Sequence, residues 1–222
     1  MIGGLPGGEI IIVISVCVGL TAGWLISLVS GLLAGDGVHG HGAIVFISAV
    51  VFTGLYLRFG FTAGYLVYSI FSACLITAGI VDLRIRILPN IINAAGIAAA
   101  FIISVITGII TSGFGPIRDC LLGAAVCGAP FFFIALIKKD GMGMGDVKFA
   151  ALIGAFLGLF GGLCALWLGI VLGGIASAAL IIAKKATRKS SIPFGPFMAI
   201  GALTMIFFGD AIKSFLSAAY HV

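Results

Sequence analysis

Residues 137–160 read IKKDGMGMGDVKFAALIGAFLGLF. Two lysines and an acid close one apolar run. Three alternating glycines follow, and Asp146 then opens a second apolar run with helical character. The aspartate is the residue that needs a reason. An ionisable side chain at membrane depth costs about 2.5–3.5 kcal/mol on insertion scales, so it is usually placed there for function.

The same alternation runs through the whole chain. Short breaks of glycine, proline and charge (AGDGVHGHG, LRFGF, DLRIRILPN, TSGFGPIRD, FGG and KKATRKSSIPFGP) separate long apolar stretches. A helix needs roughly 20 residues to cross a bilayer, and the stretches predict about eight spans. They cover 9–33, 43–57, 61–80, 91–110, 117–137, 147–160, 163–183 and 194–216. Hydrophobic residues make up 62% of the chain and charged ones 9%, where a soluble domain has about 25% charged. The expected fold is therefore all-α: a polytopic transmembrane helical bundle forming a single domain over 1–222. No room is left for a sizeable soluble domain. The opening MIGGLPGGEIII has no basic n-region, so the first span is expected to be retained rather than cleaved as a signal peptide.

The net charge of +5 reports topology rather than nucleic-acid binding. Cytoplasmic loops of membrane proteins carry the excess of Lys and Arg. With both termini on the extracytoplasmic side, the inner loops hold Arg84, Arg86, Lys138, Lys139, Lys148, Lys184, Lys185, Arg188 and Lys189, while Arg58, Arg118 and Lys213 lie outside. That orientation gathers DLRIRILPN, KKDGMGMGD and KKATRKSSIPFGP at one face, the cytoplasmic one. Its basic residues suit contact with anionic lipids. The five cysteines form no CxxC pair and read as small buried residues. His39 and His41, in a glycine-rich loop, read as solvated, and no metal or other cofactor is expected. The spacing Gly154-x-x-x-Gly158 reads as close helix packing.

Of the seven acids, Asp82 and Asp146 stand out because each adjoins a long apolar helix at the inner face. Asp146 directly precedes VKFAALIGAF, where an acid also serves as a helix N-cap. Asp82 falls beyond the third span, near a helix C-terminus, where the dipole disfavours negative charge; Arg84 and Arg86 are available to compensate. The two aspartates are thus expected to feel opposite dipole ends. Paired, they suggest a sharper chemistry. Two carboxyls held close do not both ionise easily and share a proton. One then accepts a proton from water while the other protonates a scissile carbonyl oxygen, which is peptide hydrolysis without a covalent intermediate. Gly143 and Gly145 leave the backbone open to close approach. The stretch lacks the Gly-Lys-Ser/Thr ending of a P-loop and follows no strand.

GMGD, Gly143 to Asp146, matches the GxGD signature of membrane aspartic proteases, and the rest of the chain resembles the type IV prepilin peptidases. The resemblance maps a first catalytic aspartate onto Asp82, followed by Leu88, Pro89 and Asn90. It maps the second onto Asp146 with Gly143, Gly145 and Lys148, and a late PFGPF element onto Pro193, Phe194, Gly195, Pro196 and Phe197. LRFG, Leu57 to Gly60, is similar to a segment of the longer members. The resemblance implies cleavage of a prepilin or pseudopilin precursor at the inner face of a bacterial cytoplasmic membrane, in a pilus or secretion system. Bifunctional members carry paired cysteines between the first two spans, linked to N-methylation; here that place holds AGDGVHGHG, so methyl transfer is not carried over. An ion-coupled small-solute transporter is the alternative, since broken helices with an embedded acid also mark such carriers.

Overall fold

The computed structural model describes residues 8–34, 41–137, 142–185 and 192–220. Readings that fall on Asp36, His39, Lys138, Lys139, Asp140, Arg188 and Lys189 lie outside the described residues. The described chain is helical: α1 (Gly8–Ala34), α2 (His41–Phe59), α3 (Ala63–Ile85), α4 (Asn90–Ile110), α5 (Gly115–Ile137), α6 (Met144–Ile182) and α7 (Gly195–Tyr220). All seven are long and apolar enough to cross a membrane, so the chain is a multi-pass membrane protein.

The sixth helix needs a closer account. Its 39 residues would extend about 58 Å if straight, roughly twice the hydrocarbon thickness of a bilayer. It is not straight. Gly158 adopts φ 68°, ψ −176°, a region open essentially to glycine alone. The chain folds back there, and a Cβ at Gly162 would lie 2.8 Å from the Cα of Gly154. The element is therefore two antiparallel arms, 144–157 and 159–182. The turn falls at Gly158 rather than at the expected FGG, which is helical. Gly158 is thus the point of reversal, not a packing position, whereas Gly154 does pack closely, against Gly123 of α5. The first arm is only about 21 Å long, too short to reach across the apolar layer by itself.

Other boundaries moved in ways that matter for the acids. The third helix extends to Ile85, five residues beyond the expected end, so Asp82 sits inside its last turn. The sixth begins at Met144, so Asp146 is the third helical residue and not the cap. Thr62 caps α3, accepting from the backbone N–H of Tyr65 at 3.4 Å.

The third helix is the most enclosed of the seven and packs against α1, α2, α4 and α7. The core between it and α6 is built from Phe71, Leu75, Phe149 and Leu152, all fully buried, with Phe71 stacked on Phe156 at 4.4 Å. From α7 come Met198, Ala199, Ala202, Met205 and Ile206, the i, i+1, i+4, i+7, i+8 stripe of one helix face. Cys120 and Cys127 are buried as expected, but Cys17 is exposed. His41 is hydrogen-bonded to Ser27 of α1, Nδ1 to Oγ 2.6 Å, so the first two helices are tied at that end.

Candidate active site

Three segments that are far apart in the chain meet at one end of the bundle: the end of α3 with the strap that follows it, the glycine-rich start of α6, and the start of α7. Between them lies a pocket of about 570 Å³. Its wall includes Asp82, Arg86, Leu88, Asn90, Gly143, Gly145, Asp146, Lys148, Pro193 and Phe194. Asp82 and Asp146 are thus brought to the wall of a common cavity. A different charge pair joins the last turn of α2 to α7, Arg58 with Asp210 at 2.8 Å, and Arg58 also donates to the carbonyl of Phe207.

Each carboxylate is held by a helix start. Asp82 is 5% exposed, and its Oδ2 accepts the backbone N–H of Gly195 at 2.8 Å. Gly195 is the first residue of α7, so that N–H is one of the orphan donors every helix leaves at its N-terminus. Asp146 reaches back along its own first turn, where its Oδ2 accepts the N–H of Gly143 at 3.2 Å. This is the carboxylate half of a capping box. The expectation that the two acids feel opposite dipole ends is therefore corrected. Asp82 does sit at the end of its own helix, but the N-terminus of α7 is aimed at it, so dipole ends no longer distinguish the pair.

Leu88 explains why glycines surround the acids. It is buried and wedged between two of them. A Cβ at Gly145 would lie 2.9 Å from the Cβ of Leu88, and a Cβ at Gly195 would lie 3.0 Å from its Cδ2 and 2.9 Å from Asp82 Oδ2. Any side chain at either position pushes the strap or an acid aside. The strap itself begins with Arg86, which closes α3 in the left-handed conformation, φ 56°, ψ 34°, its N–H bonded to the Asp82 carbonyl at 2.9 Å. A non-glycine residue there carries strain of order 1 kcal/mol, and the turn it makes carries Leu88 under the pocket.

The remaining predicted residues are also placed. The ammonium of Lys148 donates to Asn90 Oδ1 at 2.8 Å. Phe194 stacks against Phe131 of α5, centroids 6.1 Å apart, and walls the pocket beside Pro193. Sequence reading missed Asn93. It is fully buried on α4, and its Nδ2 donates to the Gly145 carbonyl at 3.2 Å. A lone amide within the apolar run IINAAGIAAAF, residues 91–101, was the available signal.

A pocket with two carboxyls on its wall is chemically suited to water activation. The profile of the type IV leader peptidase family matches residues 69–178, about half the chain, with both acids inside the match. This chain belongs to the type IV leader peptidase family. Among its relatives in that family, a prepilin leader peptidase/N-methyltransferase of Bacillus subtilis is 29% identical over 76% of this chain and 66% of its own length. One of Xanthomonas campestris pv. campestris is 30% identical over 73% of this chain and 57% of its own. Another, from Aeromonas salmonicida, is 33% identical over 45% of this chain and 36% of its own. The chain thus spans less than two thirds of the length of the curated leader peptidases it matches. No solved structure matches it. The PFGPF element lies beyond the family match, yet Gly195 within it supplies the hydrogen bond to Asp82.

Proposed function

We propose that this chain is an aspartic endopeptidase that removes the leader from prepilin-like precursors, with Asp82 and Asp146 as its catalytic pair. The observation that carries the proposal is that two acids from α3 and α6 line one pocket at one end of a membrane bundle. In this mechanism one carboxylate takes a proton from the attacking water, and the hydroxide adds to the scissile carbonyl carbon. The other carboxyl gives its proton to the carbonyl oxygen. Collapse of the tetrahedral intermediate breaks the C–N bond, with the proton passing to the leaving amine. General acid–base steps of this kind are each worth about 10²–10⁴-fold. Gly143, Gly145 and Gly195 admit close backbone approach, and Pro193 and Phe194 wall the cleft.

The charge bias of the loops supports a cytoplasmic position for the pocket, in the bacterial inner membrane, with both termini outside and the basic segments against anionic lipid. The family assignment favours this reading over a transporter. The proposal covers cleavage only, because the paired cysteines linked to N-methylation are missing from the sequence. The test is incubation of the purified protein with a pilin-like precursor, beside Asp82→Asn and Asp146→Asn, followed by mass measurement of the product. Cleavage by the parent and none by either folded variant is expected, and the product mass is expected to show no added methyl group. Full cleavage by either variant removes the pair from the mechanism.

A further inference from the structure

Two asparagines on α4 have no part in the chemistry described so far. Asn90 and Asn93 are three residues apart, so they lie on one face of the helix. Both reach across to the start of α6, the segment that carries Asp146. Asn90 accepts the Lys148 ammonium at 2.8 Å, and Asn93 donates to the Gly145 carbonyl at 3.2 Å. The two contacts bracket Asp146, one residue before it and two after.

Asn93 is the more telling of the two. It is 0% exposed, and its Oδ1 has no hydrogen-bond partner among the described residues. Burying an amide with half its capacity unused is unfavourable, and a leucine would fill the space without that cost. The Gly145 carbonyl already belongs to the first turn of α6, so the Asn93 bond adds little to the helix itself. What it adds is lateral position. Gly145 itself has no side chain to interlock with its surroundings, and a Cβ there would meet the Cβ, carbonyl oxygen and Cα of Leu88. A helix start of that kind slides easily along its neighbour unless a directional bond fixes it.

We infer that Asn90 and Asn93 form a clasp from α4 onto the start of α6 and are positioning residues, setting where Asp146 stands relative to Asp82. The inference rests on the proposed Asp82/Asp146 chemistry. It also assigns Lys148 to the clasp rather than to the substrate.

Two readouts test it, one of them independent of activity. In a chain with its native cysteines replaced, Asp82→Cys/Asp146→Cys is bridged with a short thiol-bridging reagent, and the yield is compared with and without Asn93→Ala and Asn90→Ala. Each clasp variant is expected to lower the yield at least threefold. In the native background, Asn93→Ala, Asn90→Ala and Lys148→Met are expected to lower kcat about tenfold or more on a pilin-like precursor, with KM changed less than twofold. Asn93→Ser, which keeps a donor, is expected to recover part of the loss. Asn90→Ala combined with Lys148→Met is expected to be no worse than either alone, since one bond is lost in all three. Asn90 and Lys148 are at the surface, so these variants report even if Asn93→Ala folds poorly. Unchanged bridging and unchanged kcat in the asparagine variants overturn the clasp while leaving the peptidase reading intact. An active Asp146→Asn overturns that reading instead.

Discussion

Gly195→Ala is the sharpest test of how Asp82 is held. The added methyl would sit 2.9 Å from Asp82 Oδ2, 3.0 Å from Leu88 Cδ2 and 3.2 Å from Asp82 Cβ. Ordinary contact begins near 3.4 Å, so the carboxylate or the start of α7 must retreat by about 0.5 Å (3.4 − 2.9). Leu88 has little freedom to absorb this, because its other side already touches Gly145. The same retreat stretches the 2.8 Å bond from the Gly195 N–H to about 3.3 Å, beyond the usual range for a charge-assisted bond. Misplacing a reacting group by about 1 Å costs roughly 10²-fold in rate, so half of that predicts a loss of about tenfold in kcat. The overpacking itself costs about 1–3 kcal/mol, which lowers the melting temperature without preventing folding. Cleavage kinetics on a pilin-like precursor, with a thermal melt alongside, measure both. Gly174→Ala is the control, since nothing lies within 4 Å of that position, and its kcat is expected to match the parent. A Gly195→Ala protein with parental kcat refutes the argument that Asp82 must stay against the α7 start.

Three further outcomes are expected. Gly158→Ala forces a side chain into φ 68° and is expected to cost about 1–3 kcal/mol, seen as a lower melting temperature and slower cleavage; an unchanged melt refutes the reversal at that residue. Arg58→Ala breaks an ion pair whose Asp210 partner is largely exposed, so it is expected to change stability by about 1 kcal/mol or less and leave kcat alone. Leu88→Ala removes the wedge between Gly145 and Gly195 and is expected to cost about 2–5 kcal/mol as a buried truncation. Its kcat is expected to fall as well, measured at a temperature where the folded fraction is held equal.

The spans were legible because lipid-facing helices must be apolar over their whole length, and this leaves a local trace in any window of the chain. Asp82 and Asp146 were legible for the converse reason: an acid beside an apolar run is costly and therefore conspicuous. Boundaries were less so. The third helix runs through Asp82 to Ile85 because Val81, Leu83 and Ile85 continue the apolar pattern around the acid. The reversal within α6 fell at Gly158 because φ of one glycine, not the composition of FGG, decides where the chain turns.

Sequence alone thus determined the class, most of the breaks to within a few residues and the two conspicuous acids, since each depends on the chemistry of a residue and its nearest neighbours. Tertiary structure decided the partners: Gly195 on Asp82, Asn93 on Gly145, Asn90 on Lys148 and Leu88 between two glycines. Those contacts join positions more than fifty residues apart, and a bond of that kind exists only once α4, α6 and α7 have packed. Nothing in the neighbourhood of either residue in the chain specifies the other.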